Sequence, residues 1–166
     1  YLVYDQQFYL SNDPKEIPYK LNENSILKPR NLIGLAKFYH ENELNFLKEF
    51  YEKYPKIVSI RIFRGFGKNS NDIISRWIRT LINKDKINLF RPENIFDFIY
   101  SKDTASGIVE IIKSDFEGCI NLGSGKSTKI SEVILYLKKK FPKMSYKLIN
   151  SKIKFESSEA DISLLN

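Results

Sequence analysis

The spacing of apolar residues switches between a helical and a strand-like period along the chain. Over residues 31–54, Leu32, Leu35, Ala36, Tyr39, Leu44, Phe46, Leu47, Phe50 and Tyr51 recur at largely helical intervals, which predicts one long helix. Pro29 lies just ahead of it, where a missing N–H and a fixed backbone angle are tolerated. Residues 57–63 are apolar nearly throughout and rich in β-branched side chains, predicting a strand buried on both faces. Gly65 and Gly67 are expected to end it in a tight connection. Ile74, Trp77, Ile78, Leu81 and Ile82 form a second helical stripe with Asn71 as its expected N-cap and Trp77 in the core. A short extended piece, Phe98-Ile99-Tyr100, leads into a helix over 103–113 with Ala105, Ile108, Val109 and Ile112 expected to face inward.

Residues 119–122 read as another strand, closed by Gly123-Ser124-Gly125. Thr128 is the expected cap of a helix reaching Lys140, and residues 144–149 supply a final strand after Phe141-Pro142. At the other end, Tyr1-Leu2-Val3-Tyr4 is strand-like, and residues 11–31 read as a long polar loop of the kind that lines a binding site or forms a lid. Strands separated by helices give an α/β protein.

Composition narrows the chemistry more by exclusion than by choice. With 42% hydrophobic and 28% charged residues, the 166-residue chain has enough apolar content to fold around a core. Its net charge of +7 permits an anionic partner without selecting among nucleic acid, phospholipid and nucleotide. The densest run, Lys138-Lys139-Lys140, falls at a predicted helix end, where the dipole favours cations. A lone Cys119 excludes an intramolecular disulfide and a cysteine zinc cluster, and suits a reducing, cytoplasmic setting. No apolar run reaches the roughly 18 residues of a membrane span.

His40 is the only histidine, which excludes His-rich metal sites and two-histidine mechanisms, and no metal site is expected. No GxSxG, P-loop or GxGxxG motif is present. Gly65-Phe66-Gly67 and the Gly123 to Ser127 segment leave two readings open, structural turns or backbone N–H groups that cradle a phosphate.

Residues 29–41 read Pro29-Arg30-Asn31-Leu32-Ile33-Gly34-Leu35-Ala36-Lys37-Phe38-Tyr39-His40-Glu41. This resembles the extended short-chain dehydrogenase/reductase family, the NAD-dependent sugar-nucleotide epimerases and dehydratases, whose pattern is Pro, then Tyr-Gly-x-Ser-Lys, then Glu. Pro29, Gly34, Lys37 and Glu41 fall on the pattern, whereas Ile33 stands at its tyrosine and Ala36 at its serine. Further blocks follow in the family's order. Val3-Tyr4-Asp5 is similar to Val-Tyr-Gly, and Glu23 to the acidic residue of the next loop. The stretch from Ile60 to Gly67 is similar to Leu-Arg-x-Phe-Asn-x-x-Gly, the one from Asp97 to Asp103 to Asp-Phe-Val-Tyr-Val-Asp-Asp, and Asn121 to Gly125 matches Asn-x-Gly-Ser-Gly.

The resemblance implies the C-terminal part of a Rossmann-type doubly wound parallel sheet plus a small substrate-binding subdomain. Residues 1–68 would then be the last strands and long helix of the nucleotide-binding domain. Residues 69–166 would be mainly substrate-binding, with 97–113 returning to the main domain. The N-terminal dinucleotide-binding half, expected before Tyr1, would be a missing segment of the same protein. It further implies NAD or NADP as cofactor, held by Lys37 on its ribose and bordered by Ile62 and Phe63, and a nucleotide-sugar substrate. Arg64, Arg91 and Phe96 are the substrate-side positions: Arg64 replaces an asparagine, and Phe96 replaces an arginine that contacts the diphosphate. Arg64, Arg61 and Arg91 are left to compensate. Pairing into a homodimer would use the 31–54 helix.

Ile33 breaks the implied proton transfer, because an alkyl group has no proton to exchange. Tyr39 lies elsewhere on the helix surface and His40 about 10 Å farther along the axis, so neither inherits the position. Tyr4 and Tyr9 approach from another segment as weak substitutes. Three readings result: an epimerase, dehydratase or reductase with a displaced proton donor; a degenerate relative that binds a nucleotide or sugar nucleotide without efficient turnover; and a basic nucleic-acid-binding module. The last predicts salt-sensitive affinity but lacks a zinc finger, RNP block or helix-turn-helix signature.

Overall fold

Strands and helices alternate along the computed structural model, which describes residues 2–165. The chain enters through Leu2 and Val3 in a turn, and Tyr4 makes an isolated antiparallel bridge to Leu27. The expected opening strand is therefore absent among the described residues, and Tyr1 lies outside them. The expected 11–31 loop is interrupted twice, because β1 (Leu10–Ser11) and β2 (Tyr19–Leu21) both add to a strand from the far end of the sequence.

The long helix α1 (Leu32–Phe50) starts where Asn31 takes extended backbone and its side chain accepts from Gly34 N at 2.8 Å, satisfying an N–H that a helix start leaves open. It stops short of Tyr54, the residue before Pro55 being biased towards extended backbone. Gly34 is the buried residue of α1, and an added Cβ there would overlap the Leu2 carbonyl oxygen. Gly34→Ala is expected to push the helix off the Leu2–Val3 segment and cost about 2 kcal/mol of stability, measured by urea denaturation.

β3 (Val58–Ile62) pairs in parallel with β7 (Gly118–Leu122), from Val58 opposite Gly118 to Ile62 opposite Leu122. Among the described residues no strand pairs with its other edge, and only Arg61 within it is fully buried, so the expected burial of both faces is not met. One residue later the chain changes sheets. Arg64–Phe66 forms β4, parallel to β6 (Ile95–Tyr100), where the sequence suggested only a glycine turn. Of the two glycines only Gly67, just after β4, is sterically required, since a Cβ there would collide with Ser101, whereas one at Gly65 would meet open space.

Helix α2 (Ile73–Ile82) is capped by Asp72 rather than Asn71, its carboxylate accepting from Ser75 N at 2.9 Å. Burial opposes that charge, yet the hydrogen bonds from Ser70 and Ser75 hold the carboxyl below its ordinary range. β5 (Ile87–Leu89) pairs with β9 (Tyr146–Leu148), while α3 (Ser101–Lys113) runs from β6 to β7. Its buried residue is Ile111, with Gly107 against Leu122, whereas Ala105, Val109 and Ile112 face outward, contrary to the expected stripe. Thr128 lies in β8 (Ser127–Lys129) and does not cap α4 (Ile130–Lys140). The carbonyls of Asn94 and Pro92 take the first N–H groups of α4 instead.

The last strand, β10 (Phe155–Ala160), sits in the middle of the six-stranded sheet, with β6 on one side and β1 and β2 on the other. Among the described residues, five of the seven strand pairings are parallel, β1–β10 and β6–β8 being antiparallel. Two apolar clusters result. One joins Trp77, Leu81, Ile87, Leu89, Phe96 and the inner face of α4. The other joins Val3, Tyr4, Tyr9, Leu21, Phe63 and Ala160. The architecture is an α/β fold with a mostly parallel sheet flanked by helices.

Candidate functional site

Arg61 fixes the geometry around α1. Its guanidinium grips both carboxylate oxygens of Glu41, Nε to Oε1 at 3.0 Å and Nη2 to Oε2 at 2.7 Å, and Nη1 donates to Tyr4 Oη and the Glu23 carbonyl. Tyr4 Oη donates in turn to Asn121 Oδ1 at 2.5 Å, while Asn121 N donates to Glu23 Oε1. Helix, two parallel strands and the loop before α1 are thereby tied through one buried polar frame. Burial works against the Arg61 charge, but Glu41 and Tyr4 outweigh it and raise its pKa.

Glu41 lies one turn after Lys37, so this bidentate pair also sets the register of Lys37 over β3. Lys37, Val3, Glu41, Arg61 and Ile62 line a groove of about 310 Å³ between α1 and β3. Lys37 is exposed at its edge, Ile62 is 38% exposed, and Phe63 turns inward to pack with Val3 and Tyr4. Ile33, one turn before Lys37, is 62% exposed.

Neither tyrosine of the preceding segment is suited to exchange protons near neutrality. Burial pushes both the Tyr4 and the Tyr9 phenol up to about 12, against the pull of Arg61 and Arg30 respectively. Tyr39 is exposed, and His40 pairs with Glu43 at 3.3 Å on the open surface.

The three substrate-side positions do not act alike. Arg64 lies with its guanidinium 3.7 Å above the Phe96 ring and donates to Glu156 Oε2 at 3.1 Å. Arg91 turns to the segment before β10, where it bonds the carbonyls of Ser151 and Ile153 and stacks on Phe155 at 4.3 Å. Arg61 is committed to the buried frame and is therefore not available in the same cleft as Arg64. Arg30 and Glu156, which join Arg64, carried no sequence signal beyond Arg30's place inside the Pro29-to-Glu41 block.

The Gly123-Ser124-Gly125 loop resolves its two readings through Asp97. That carboxylate, 1% exposed, accepts from Ser124 N at 2.7 Å, Ser124 Oγ at 2.6 Å, Gly125 N at 2.9 Å and Ala160 N at 3.1 Å. The N–H groups that would cradle a phosphate already hold an internal anion, so the loop is a structural turn. Its closeness explains Gly123, where a Cβ would stand 2.5 Å from Ala160 Cβ and 2.9 Å from Asp97 Oδ2.

A family model described as the NAD dependent epimerase/dehydratase family matches residues 9–123, well over half of the chain. The chain belongs to that family. No curated protein sequence matches it. Among solved structures, this epimerase/dehydratase-family chain is similar to the UDP-N-acetylglucosamine 4-epimerase of Methanobrevibacter ruminantium M1, solved in complex with UDP-N-acetylmuramic acid. The TM-score is 0.78 and the identity 26%, over 93% of this chain and 51% of the other. The UDP-N-acetylglucosamine 4-epimerase of Bacillus cereus gives a TM-score of 0.74 at 25% identity over 87% and 52%. The UDP-glucose 4-epimerase of Thermotoga maritima, with UDP-glucose, gives 0.76 at 18% over 97% and 53%, a likeness of fold alone. The chain spans about half the length of the solved structures it matches. Among the described residues, no helix is long and apolar enough to cross a membrane.

Proposed function

We propose that this chain forms the substrate-facing portion of an NAD(P)-dependent epimerase, dehydratase or reductase acting on a nucleotide sugar. The observation that carries the reading is Lys37 beside Ile62 on one groove, held in register by the Glu41–Arg61 pair. An ammonium over an apolar floor suits the ribose hydroxyls of NAD or NADP, with Ile62 and Phe63 bordering the nicotinamide; the dinucleotide, when bound, supplies hydride transfer. Arg64, backed by Phe96, favours an anionic sugar nucleotide on the substrate side, with Arg91 ordering the segment before β10.

Residues 1–68 belong, in this reading, to the nucleotide-binding side and 69–166 mainly to the substrate side, with 97–113 returning to the former. The packing of Gly107 on Leu122 supports that return. The half-length match to solved structures supports a further dinucleotide-binding portion that completes the cleft. The exposed Tyr39, Phe46 and Phe50 of α1 support pairing with a second copy.

One observation favours a second reading, ligand binding without efficient turnover: Ile33 has no proton to give, and Tyr4 and Tyr9 are buried with their phenols held neutral. Titration of the complete polypeptide with NAD and NADP, followed by turnover assays on a panel of nucleotide sugars, separates the two. Binding with turnover supports the enzyme, binding without it the degenerate relative, and no dinucleotide binding overturns both. Lys37→Met is expected to weaken dinucleotide affinity about tenfold, as loss of one charge-assisted hydrogen bond does. Ile33→Tyr is expected to raise turnover; an unchanged rate in a folded variant counts against Ile33 at the proton donor's position.

A further inference from the structure

On the edge of β10 that faces away from β6, the pairing with β1 ends at Glu156 and the pairing with β2 begins at Ser158. Ser157 therefore falls at a break between two partner strands, its N–H reaching the Tyr9 carbonyl at 2.9 Å. The chain joining β1 to β2 leaves the edge and rejoins it across this break, and beside it lies a cavity of about 370 Å³. Phe8, Lys15, Ile17, Pro18, Tyr19 and Ser157 are among its lining residues. None of them borders the Lys37 groove, and side-chain alternation puts Ser157 on the opposite face of β10 from Glu156.

The walls of this cavity differ in chemistry. The Phe8 and Tyr19 rings stack with 5.3 Å between centroids and 26° between planes, and Ile17 and Pro18 continue the apolar surface. A stacked pair of this kind offers its outer faces to a further ring. At the β10 wall, Ser157 is 4% exposed, and its Oγ is buried with no hydrogen-bond partner among the described residues. An unmatched buried hydroxyl is destabilising and alanine would remove the penalty, which points to a partner supplied from outside the chain. Lys15 is exposed and enters no ion pair among the described residues, whereas its neighbour Glu16 is taken by Lys129 at 2.5 Å. A ring wall, an unanswered hydroxyl and an unpaired ammonium together select a planar ring that carries one hydrogen-bonding substituent and a separate negative charge.

We propose that this cavity binds a small aromatic acid bearing a ring hydroxyl, with the ring against Phe8 and Tyr19, the ring hydroxyl paired with Ser157 Oγ and the carboxylate beside Lys15. A serine hydroxyl both donates and accepts, so it suits a phenol, which does the same. The inference goes beyond the dinucleotide reading, because neither Lys37 nor the substrate-side Arg64, Arg91 and Phe96 enter it.

The test is calorimetric titration of the complete polypeptide with 4-hydroxybenzoate, and with benzoate and phenol as probes that each lack one group. 4-Hydroxybenzoate is expected to bind more tightly than either. Ser157→Ala should weaken 4-hydroxybenzoate about fivefold, as loss of one hydrogen bond does, and leave benzoate unchanged. Lys15→Ala, an exposed substitution that leaves folding intact, should weaken both acids about threefold and leave phenol unchanged. Without ligand, Ser157→Ala should keep or raise the Tm. A lower Tm would show that the hydroxyl holds the fold, and overturns the proposal. So does absence of 4-hydroxybenzoate binding up to its solubility limit, an affinity for it that either substitution leaves unchanged, or equal weakening of 4-hydroxybenzoate and benzoate by Ser157→Ala. Because no probe contains a dinucleotide or a sugar, a negative result here leaves the Lys37 reading standing.

Discussion

Asp97→Ala is expected to lower the unfolding free energy by about 4 kcal/mol, among the largest effects a single substitution produces. The carboxylate takes four hydrogen bonds, three from backbone N–H groups at Ser124, Gly125 and Ala160 and one from the Ser124 hydroxyl. Removing it leaves those donors facing a cavity, and an unsatisfied donor costs about 1–3 kcal/mol where water does not reach it. The partners lie on three segments: Asp97 in β6, the loop after β7, and the end of β10. No single segment can relax to absorb the loss. Asp97→Asn keeps the shape but turns half of an acceptor into a donor pointed at other donors, so it should recover less than half of the deficit. Urea denaturation followed by far-UV circular dichroism measures both. A cost below about 1 kcal/mol for the alanine variant would mean that the loop and β10 hold together without their shared anion.

Arg61→Ala should cost about 3–5 kcal/mol, since removing one partner of a buried pair strands the other charge. Glu41 would be left against β3 without its bidentate partner, and Tyr4 and the Glu23 carbonyl would each lose a donor. The effect is expected to be coupled: Arg61→Ala combined with Glu41→Ala should cost less than the sum of the two, because no unpaired charge then remains. Additive costs would instead mean that the pair contributes nothing beyond packing. Loss of Arg61 should also loosen α1 over β3, read as faster hydrogen exchange in the first turns of α1, around Lys37.

Much of the order of elements was legible because apolar spacing follows the period of each element, even in α1, where most of the stripe is exposed. Residues 32–50 and 73–82 read as helices, and residues 58–62 and 118–122 as strands, within a few positions of their actual limits. The errors have identifiable physical causes. Phe155-Glu156-Ser157-Ser158-Glu159-Ala160 lacks β-branched residues and carries two carboxylates, so nothing marks it as a strand, yet all six of its residues pair in the sheet. Its polar side chains are tolerated inside because partners far away in sequence meet them: Glu156 by Arg30 and Arg64, Glu159 by Ser127. The Ala105, Val109 and Ile112 stripe misled in the opposite sense, since apolar periodicity gives the width of a face but not which neighbour covers it.

At the candidate site, the block around Lys37 was readable because helical spacing brings Gly34, Lys37 and Glu41 to the same side. What Asp97 and Glu156 do was not readable. A carboxylate in a strand declares nothing until the donors that surround it are known, and these come from positions between 27 and 126 residues distant.

The placement of β10 bears on how the protein is made. The strand that β1, β2 and β6 all need is the last one a ribosome releases among the described residues, so the growing chain must carry those three edges unpaired until residues 155–160 emerge. Closure of the sheet therefore waits on that segment, is dominated by pairings distant in sequence and is correspondingly slow. A nascent chain stalled before Phe155 would expose aggregation-prone strand edges, and holdase chaperones would be expected to bind it.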